Sequence, residues 1–348
     1  MIKETEVRKS FLEQAEICAS LGSEFMECFC LGLGNHLDKS TQTGRRILEW
    51  DGNPYPKGDA LALRLAGGIH AIVRRGSQSE LAQYYADTKR VGEPDFVKAL
   101  LALIREKDDE LITWLDNAPQ TNEVARSSAI FAGLSAISQK FQMPLSLLEL
   151  GASGGLNLQC ASFGYEFSGQ IFGDTSSDLQ LKPEWQGMLF PNVDVHIQGR
   201  RGCDLNPLSV NDEEDCEKLI AYLWPDQPAR IKRVETAIEI AKKSPPVLDK
   251  TDAADWVESI FKTSQSNGAV RVLYHTIAQN YFPQSVIDRI KNAVEVAGQA
   301  ATIDTPIAWL SFEFEGDGNP KLRLRTWPDN EDTILATADP HVYGIEWN

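Results

Sequence analysis

The chain has 348 residues, of which 42% are hydrophobic and 24% are charged, and its formal net charge is −16. This composition is typical of a globular protein and excludes long disordered segments. Because the negative charge repels polyphosphates, no nucleic-acid partner is favoured.

The first residues carry both charge signs and are not followed by an apolar signal segment. No stretch approaches the ~20 apolar residues that span a bilayer. We therefore predict a cytoplasmic protein with no membrane partner. The six cysteines form no Cys-x-x-Cys pair, so a metal site is poorly supported.

Apolar residues recur at helical spacing from about residue 5 to residue 141, for instance at Leu61, Leu65 and Ile69. Glycine and proline interrupt this pattern at regular places, as at Gly44 and Gly76. The pattern predicts an all-helical N-terminal region, 1–141. Within it, His70 and the Tyr84/Tyr85 pair stand out as polar groups, and we interpret them as structural.

After residue 144, short apolar runs alternate with helical segments, which is typical of an α/β protein with a parallel sheet. This predicts a Rossmann-like, mostly parallel sheet with helices on both faces, in a domain 142–348 with an insertion at about 164–192. The predicted strands are 145–150, 193–197, 246–248, 270–275 and 307–314, with an edge pair at 321–327 and 341–347. The predicted helices are 156–163, 212–223, 230–243 and 284–297.

A glycine-rich turn follows the first predicted strand. With Gly151 in first place, Ser153 and Leu156 replace two glycines of the dinucleotide motif, and the lysine of a P-loop is missing. The pattern Glu-x-Gly-x-Ser-x-Gly instead resembles the first motif of class I S-adenosylmethionine (SAM) methyltransferases, with Ser153 where glycine is usual. The alternative is a merely structural turn. The resemblance implies cofactor contacts from Glu149, Gly151, Ala152, Ser153, Gly154, Gly155 and Asn157.

Two acids further along the chain fit the same resemblance. Asp204 resembles the acid that accepts hydrogen bonds from both ribose hydroxyls, although it lies more than twice as far from the loop as the ~20 residues expected. Asp174 lies at the expected distance and competes with it, and an Asx turn before Pro207 is the structural alternative. Asp252 resembles the acid that meets the adenine amino group, and it is equally suited to cap a helix.

Further polar residues are candidates for the methyl acceptor. His275 ends the fourth strand, where open α/β sheets bind ligands, so it is predicted to act as a base or to orient the acceptor; a buried core histidine is the alternative. Asn122 and Arg126 share a helical face beside Glu123, with capping as their alternative role. We predict His275, Glu123 and Tyr281 as catalytic residues and Asn122, Arg126 and Asn280 as substrate-binding residues.

Several segments together resemble a bacterial family known as domain of unknown function 2332. They are residues 63–70, 81–85, 120–126, 149–157 and 201–207, the Trp224-Pro225 pair and the strand of His275. The resemblance implies a methyltransferase-like Rossmann fold behind a helical N-terminal region and no established substrate.

These observations predict a SAM-dependent methyltransferase that acts on a small-molecule acceptor and uses no metal. The alternative is a non-catalytic protein that binds an adenosyl or other nucleotide ligand and responds to it. The sequence specifies neither the acceptor nor the oligomeric state.

Overall fold

The structure is a computed structural model that describes residues 2–190, 192–263, 268–316 and 318–348. The chain forms two compact units. The helical unit comprises Met1–Thr121 and Glu213–Lys232, and the sheet unit comprises Asn122–Asp212 and Arg233–Asn348. This division differs from the predicted boundary after residue 141 at two places: residues 122–141 lie in the sheet unit, and residues 213–232 lie in the helical unit.

The helices confirm a helical N-terminal region. In chain order they are α1 Ile2–Ser20, α2 Glu24–His36, α3 Gln42–Leu48, α4 Leu61–Arg74, α5 Ala82–Ala86, α6 Phe96–Glu106, α7 Asp108–Trp114, α8 Ser127–Phe141, α9 Glu213–Ala221, α10 Pro228–Lys243, α11 Ala253–Lys262 and α12 Gln284–Gln299. Among the described residues, no helix combines the length and apolar character needed to cross a bilayer.

Capping interactions fix the start of α2 in the helical unit. Ser23 caps this helix by accepting a hydrogen bond from the Met26 amide at 3.2 Å. The Asp226 carboxylate accepts from the Ser23 hydroxyl at 2.7 Å and from the Phe25 amide at 3.0 Å. Asp226 directly follows the Trp224-Pro225 pair, so this pair is anchored to the helical unit.

Twelve strands are described, of which nine form one mixed, mostly parallel sheet. The strands are β1 Leu145–Leu150, β2 Gly164–Phe167, β3 Gln170–Gly173, β4 Gln180–Leu181, β5 Glu184–Gln186, β6 Ile197–Asp204, β7 Val247–Lys250, β8 Val270–Thr276, β9 Ile307–Glu313, β10 Lys321–Trp327, β11 Glu331–Ala338 and β12 Gly344–Trp347. The large sheet has the order β5-β12-β11-β10-β9-β8-β1-β6-β7. The insertion supplies the small sheet β3-β2-β4 and the edge strand β5.

The five strands β7, β6, β1, β8 and β9 are mutually parallel. Both faces of the central strand β1 are covered, which explains why four of its six residues are leucines. Leu145 and Leu147 belong to the core that contains Ile130 of α8. Leu148 and Leu150 belong to the opposite core, which α11 and α12 complete.

Two predicted elements differ most from the structure, and one strand was not predicted. The second strand, predicted at 193–197, runs over Ile197–Asp204 and carries three charged residues, one of which, Arg201, pairs with Asp249 on β7 at 2.6 Å. The polar strand β11 was not predicted; its Asp332 pairs with Arg323 on β10 at 2.7 Å. Segment 156–163 forms only the 3₁₀-helix Asn157–Ser162 before β2 begins.

Candidate functional site

The order of the parallel strands identifies one point of the sheet edge as a candidate ligand site. Across the sheet, the five strands appear in the chain order third, second, first, fourth, fifth. The order therefore reverses between β1 and β8. Open α/β sheets bind ligands outside the carboxyl ends of the strands at such a reversal. The glycine-rich loop leaves β1 at this point.

The loop after β1 has a tightly constrained backbone. Gly151, Ser153 and Gly155 have φ values of 64°, 53° and 67°. A Cβ atom on Gly155 would lie 2.7 Å from Pro246 Cγ, so this position also lacks room for a side chain. Ser153 adopts the same left-handed region, at a cost of roughly 1–2 kcal/mol for a residue with a Cβ atom. The backbone turn therefore forms even though serine occupies a position whose conformation favours glycine.

Much of the hydrogen-bonding capacity of this loop is used inside the protein. The Ala152 amide donates to Cys203 O at 3.0 Å, Ser153 to Asp204 Oδ2 at 2.9 Å, Gly155 to Ala152 O at 2.7 Å and Leu156 to Asn122 Oδ1 at 2.9 Å. The loop continues into a 3₁₀-helix instead of the predicted α-helix. It therefore lacks the row of uncovered amides that binds phosphate at a helix N-terminus.

The structure brings Asp204, rather than Asp174, to the loop. Asp204 ends β6, which pairs with β1, and its half-buried carboxylate accepts from the Ser153 and Asn206 amides at 2.9 and 2.8 Å. A carboxylate has about four acceptor sites, so two remain. Asp174 instead bonds the Ser176 amide and hydroxyl in an exposed turn of the insertion.

Glu149 lies in β1 beneath the loop and is 2% exposed. Burial raises the pKa of its carboxyl group well above the ordinary value, and the Tyr274 hydroxyl on β8 opposes this shift. Glu149 Oε2, Ser153 Oγ and the nearby Tyr274 hydroxyl are all buried, and none makes a hydrogen bond of normal geometry among the described residues. Unpartnered buried polar atoms are uncommon and indicate a place for a water or a ligand.

Both ring nitrogens of His275 are engaged inside the protein. The Trp309 indole donates to Nε2 at 3.0 Å, and because an indole is only a donor, the ring proton lies on Nδ1. Nδ1 donates to Glu313 Oε1 at 2.7 Å. With His275 fully buried, this geometry is that of the core-histidine alternative, and neither ring nitrogen is free to contact a bound acceptor.

Glu123 and Arg126 also make structural contacts. The Glu123 carboxylate is 2% exposed, caps the turn Val124–Arg126 by accepting from the Ala125 amide, and lies 3.7 Å from Arg233 Nη2. Arg126 donates to Thr276 O at 3.1 Å and to Pro340 O at 3.0 Å. Arg126 thus ties the end of β8 to the turn before β12.

The remaining predicted residues are a helix cap, an exposed pair and a buried side chain. Asp252 caps α11 by accepting from the Ala254 and Asp255 amides at 2.9 and 3.2 Å. Asn280 and Tyr281 follow the carboxyl end of β8 and are exposed, and 83% of the surface of Tyr281 is accessible. Asn157 is buried and accepts from the Ser127 hydroxyl at 2.8 Å.

Sequence reasoning missed Glu313. Its Oε1 accepts from His275 and from the Ala278 amide at 2.8 Å, so it holds the segment that carries Asn280 and Tyr281. The available signal was an acid at the end of the fifth parallel strand, at the edge where ligands bind. Among the described residues, no group of three or more His, Cys, Asp or Glu side chains is arranged to hold a metal ion.

Comparison with curated proteins and with solved structures found no match. A family model described as an uncharacterized protein conserved in bacteria (DUF2332) matches residues 8–347. This match covers nearly the whole chain and both units. The chain belongs to the DUF2332 family.

Proposed function

We propose that this protein is a SAM-dependent methyltransferase that acts on a small-molecule acceptor. The observation that carries the proposal is the Asp204 carboxylate, held against the glycine-rich loop by the Ser153 amide at 2.9 Å. A carboxylate with two remaining acceptor sites can hold both hydroxyls of a ribose. The strand order third, second, first, fourth, fifth is also that of doubly wound nucleotide-binding sheets.

The electrostatics of the loop favour an adenosyl sulfonium over a phosphorylated nucleotide. The amides of Ala152, Ser153, Gly155 and Leu156 are committed inside the protein. Asp204 adds a carboxylate at the same place, and the chain carries a net charge of −16. A pyrophosphate would meet repulsion without compensating donors, whereas a cationic ligand would meet attraction.

The residues at the loop fit such a ligand. Gly151 is exposed, so a ligand can reach its backbone, while the space that a Cβ atom would take is occupied by Ala278, whose Cβ would lie 2.9 Å away. Asp204 would hold the ribose, and Glu149 Oε2 and Ser153 Oγ are polar atoms that lack partners among the described residues. When bound, SAM supplies the activated methyl group. The protein would contribute position and the exclusion of water.

The exposed pair Asn280 and Tyr281 would contact the acceptor. The two residues follow β8, on the other side of the strand-order reversal from Asp204. His275 and Glu313 would act through the backbone of Ala278, as positioning residues for this segment. The methyl acceptor then needs its own nucleophile, such as a thiol or an amine, because His275 and Glu123 are held in structural contacts.

Thermal shift measurements with matched ligands test the cofactor. We expect SAM and S-adenosylhomocysteine to raise the melting temperature, because a ligand at 100 times its Kd adds about 2.7 kcal/mol of stability. Adenosine should shift it more than 2′,3′-dideoxyadenosine, which lacks both hydroxyls. NAD and ATP should give no shift. Failure of both adenosyl compounds to shift the melting temperature overturns the proposal.

Asp204→Ala and Asp174→Ala form a matched pair of variants. Asp204→Ala should abolish the SAM-induced shift, because the diol loses its acceptor. Asp174→Ala should retain the full shift, because Asp174 serves only its own turn. If Asp174→Ala loses the shift instead, the assignment of the ribose site to Asp204 is wrong.

A second candidate is a non-catalytic protein that binds an adenosyl ligand. It is favoured by the engagement of His275 and Glu123, which leaves both predicted bases in structural roles. Incubation with methyl-labelled SAM and a metabolite extract distinguishes the two. Transfer of label to a small molecule supports the methyltransferase. SAM binding without transfer supports the binding protein.

A further inference from the structure

The segment that follows β8 presents aromatic side chains at the carboxyl edge of the sheet. Tyr281 is 83% exposed, and Phe314, the residue directly after β9, is exposed as well. β8 and β9 pair in parallel, with Thr276 opposite Phe312, so both aromatic residues follow the carboxyl ends of neighbouring strands. Open α/β sheets bind ligands at this edge, so exposed aromatic side chains here favour contact with an aromatic ligand.

The backbone that carries Tyr281 is held in one conformation. Glu313 Oε1 accepts hydrogen bonds from the Ala278 and Gln279 amides at 2.8 and 3.3 Å. The Ile277 amide donates to a β9 carbonyl at 2.8 Å, although Ile277 is β-branched and has a φ of 49°. Such a strained backbone persists only where surrounding contacts fix it, and it is common at ligand sites. A preformed segment loses less entropy when a ligand binds.

The same segment contacts the glycine-rich loop. A Cβ atom on Gly151 would lie 2.9 Å from Ala278 Cβ and 4.0 Å from Phe282 Cζ. Gly151 is exposed and begins the loop to which the Asp204 carboxylate is bonded. A ring that packs against Tyr281 therefore lies close to the place proposed for the methyl donor.

The acids and the histidine beside this segment are already engaged. Both ring nitrogens of His275 make hydrogen bonds inside the protein. Glu313 Oε1 accepts from His275 and from two amides, and Glu313 Oε2 is buried. Asp204 accepts from two amides and is assigned to the ribose. An acceptor bound here must therefore be nucleophilic without help from these groups.

An aromatic thiol meets both requirements. Its ring suits the exposed aromatic side chains, and its thiol ionises near neutral pH because the ring delocalises the negative charge. The thiolate is the nucleophilic form of sulfur. A phenol stays protonated at neutral pH, and an aromatic amine is a weak nucleophile because its lone pair is delocalised into the ring.

The transfer balances in atoms and in charge. The aromatic thiol first releases its proton to water. The thiolate sulfur then forms a bond to the methyl carbon of SAM, while the bond from that carbon to the sulfonium sulfur breaks and leaves its electron pair on the sulfonium sulfur. The products are a methyl thioether, S-adenosylhomocysteine and one proton.

We propose that the methyl acceptor is an aromatic thiol whose ring packs against Tyr281. Phe282 and Phe314 extend the apolar surface beside it. This inference rests on the proposed methyltransferase function, to which it adds the chemical class of the acceptor.

Methyl transfer from labelled SAM to four probes tests this class. Thiophenol has the ring and the thiol, phenol and aniline have only the ring, and trifluoroethanethiol is an acidic thiol without a ring. With each rate divided by its uncatalysed rate, we expect kcat/KM for thiophenol to exceed that for trifluoroethanethiol about tenfold. Phenol and aniline should accept no label. Equal values for the two thiols, or transfer to phenol or aniline at a rate comparable to thiophenol, overturns the proposal.

Failure of this inference and failure of the proposed function give different results. A SAM-induced rise in melting temperature without transfer to thiophenol overturns the aromatic-thiol acceptor and leaves SAM binding in place. The absence of any SAM-induced rise overturns the proposed function, and this inference with it.

Calorimetry with thioanisole, the methylated form of thiophenol, gives a readout without turnover. Tyr281→Ala should weaken thioanisole binding about tenfold, whereas Tyr281→Phe should retain it because the ring is kept. Tyr343→Ala removes an exposed tyrosine before β12 and is the matched control that should retain binding.

The SAM-induced melting shift shows that each tyrosine variant folds and binds the cofactor. Unchanged thioanisole affinity in Tyr281→Ala, or equal losses in Tyr281→Ala and Tyr281→Phe, overturns the assignment of the ring to Tyr281. The same holds if the unmodified protein binds no thioanisole.

Discussion

At the scale of single residues, a substitution at Gly155 in the loop after β1 has two costs, the strain of a positive φ and the clash of a new Cβ atom. Gly155 has a positive φ and no room for a Cβ atom, whereas Gly76 has a φ of 88° with no atom within 4 Å of a Cβ. Gly155→Ala should therefore destabilise the protein more than Gly76→Ala, with the latter costing about 1 kcal/mol for its backbone alone. Urea denaturation measures both variants. Equal losses would mean that Pro246 yields to the new methyl group.

Glu149 makes the stability depend on pH. Burial holds its folded pKa well above the ordinary value of 4.5, so the folded protein retains a proton that the unfolded chain releases above that pH. Stability therefore falls as pH rises from about 4.5 to the folded pKa, by up to ~1.36 kcal/mol per pH unit from this group. Glu149→Gln should be more stable than the unmodified protein at pH 8.

Denaturation curves at pH 4 and pH 8 test this prediction for Glu149. At pH 4 the glutamate is mostly protonated in both the folded and the unfolded state, so most of the advantage of the glutamine variant should disappear. A glutamine variant that is less stable at pH 8 would show that Glu149 is ionised and compensated in the folded protein. The contributions of other titrating groups to the pH dependence cancel in the comparison, because the two proteins differ only at this position.

At the scale of elements, hydrophobic runs identified the strands with two covered faces but not the polar ones. The range predicted for β1 matches the structure, because the four leucines among its six residues pack into two cores. β11 begins Glu-Asp-Thr and depends on charge pairs with β10, which only the paired strand reveals. The contacts of His275 with Trp309 and Glu313 likewise depend on strand pairing. The sequence predicts the position of His275 at the strand end, but it does not predict the hydrogen bonds that both ring nitrogens make.

Arg126 stabilises two strained turns. It donates to Thr276 O, one residue before Ile277, and to Pro340 O, two residues before Val342. Ile277 and Val342 are β-branched residues with φ values of 49° and 55°. Arg126→Lys keeps the charge but loses the fork that reaches both carbonyls, so we expect a loss of about 2 kcal/mol. Arg45→Lys, at an exposed arginine, should cost less than about 0.5 kcal/mol.

Denaturation of both arginine variants checks the energies, and hydrogen exchange checks the location. In Arg126→Lys, the Ile277 amide, which donates to Phe312 O at 2.8 Å, should exchange faster. Loss of stability without faster exchange at Ile277 would place the effect elsewhere in the unit.

At the scale of the whole molecule, the helical unit is discontinuous in sequence. Glu213–Lys232 belongs to it, although the segment lies between strands of the sheet unit. Periodicity reports which residues of a helix are buried, but not which unit buries them. The helix at 213–221 could therefore be predicted, whereas its membership of the N-terminal unit could not. Trp224 shows the consequence, since it packs in the main core of the helical unit.

Fragments test this discontinuity. Residues 1–141 lack the segment that supplies Ala221 and Tyr222 to the cluster with Ala71 and Trp114, so this fragment should expose apolar surface and unfold without a cooperative transition. Residues 1–121 joined by a flexible Gly/Ser linker to residues 213–232 should regain a cooperative urea transition. Circular dichroism and dye binding measure both fragments. A cooperative transition in residues 1–141 would show that the helical region folds without the returning segment.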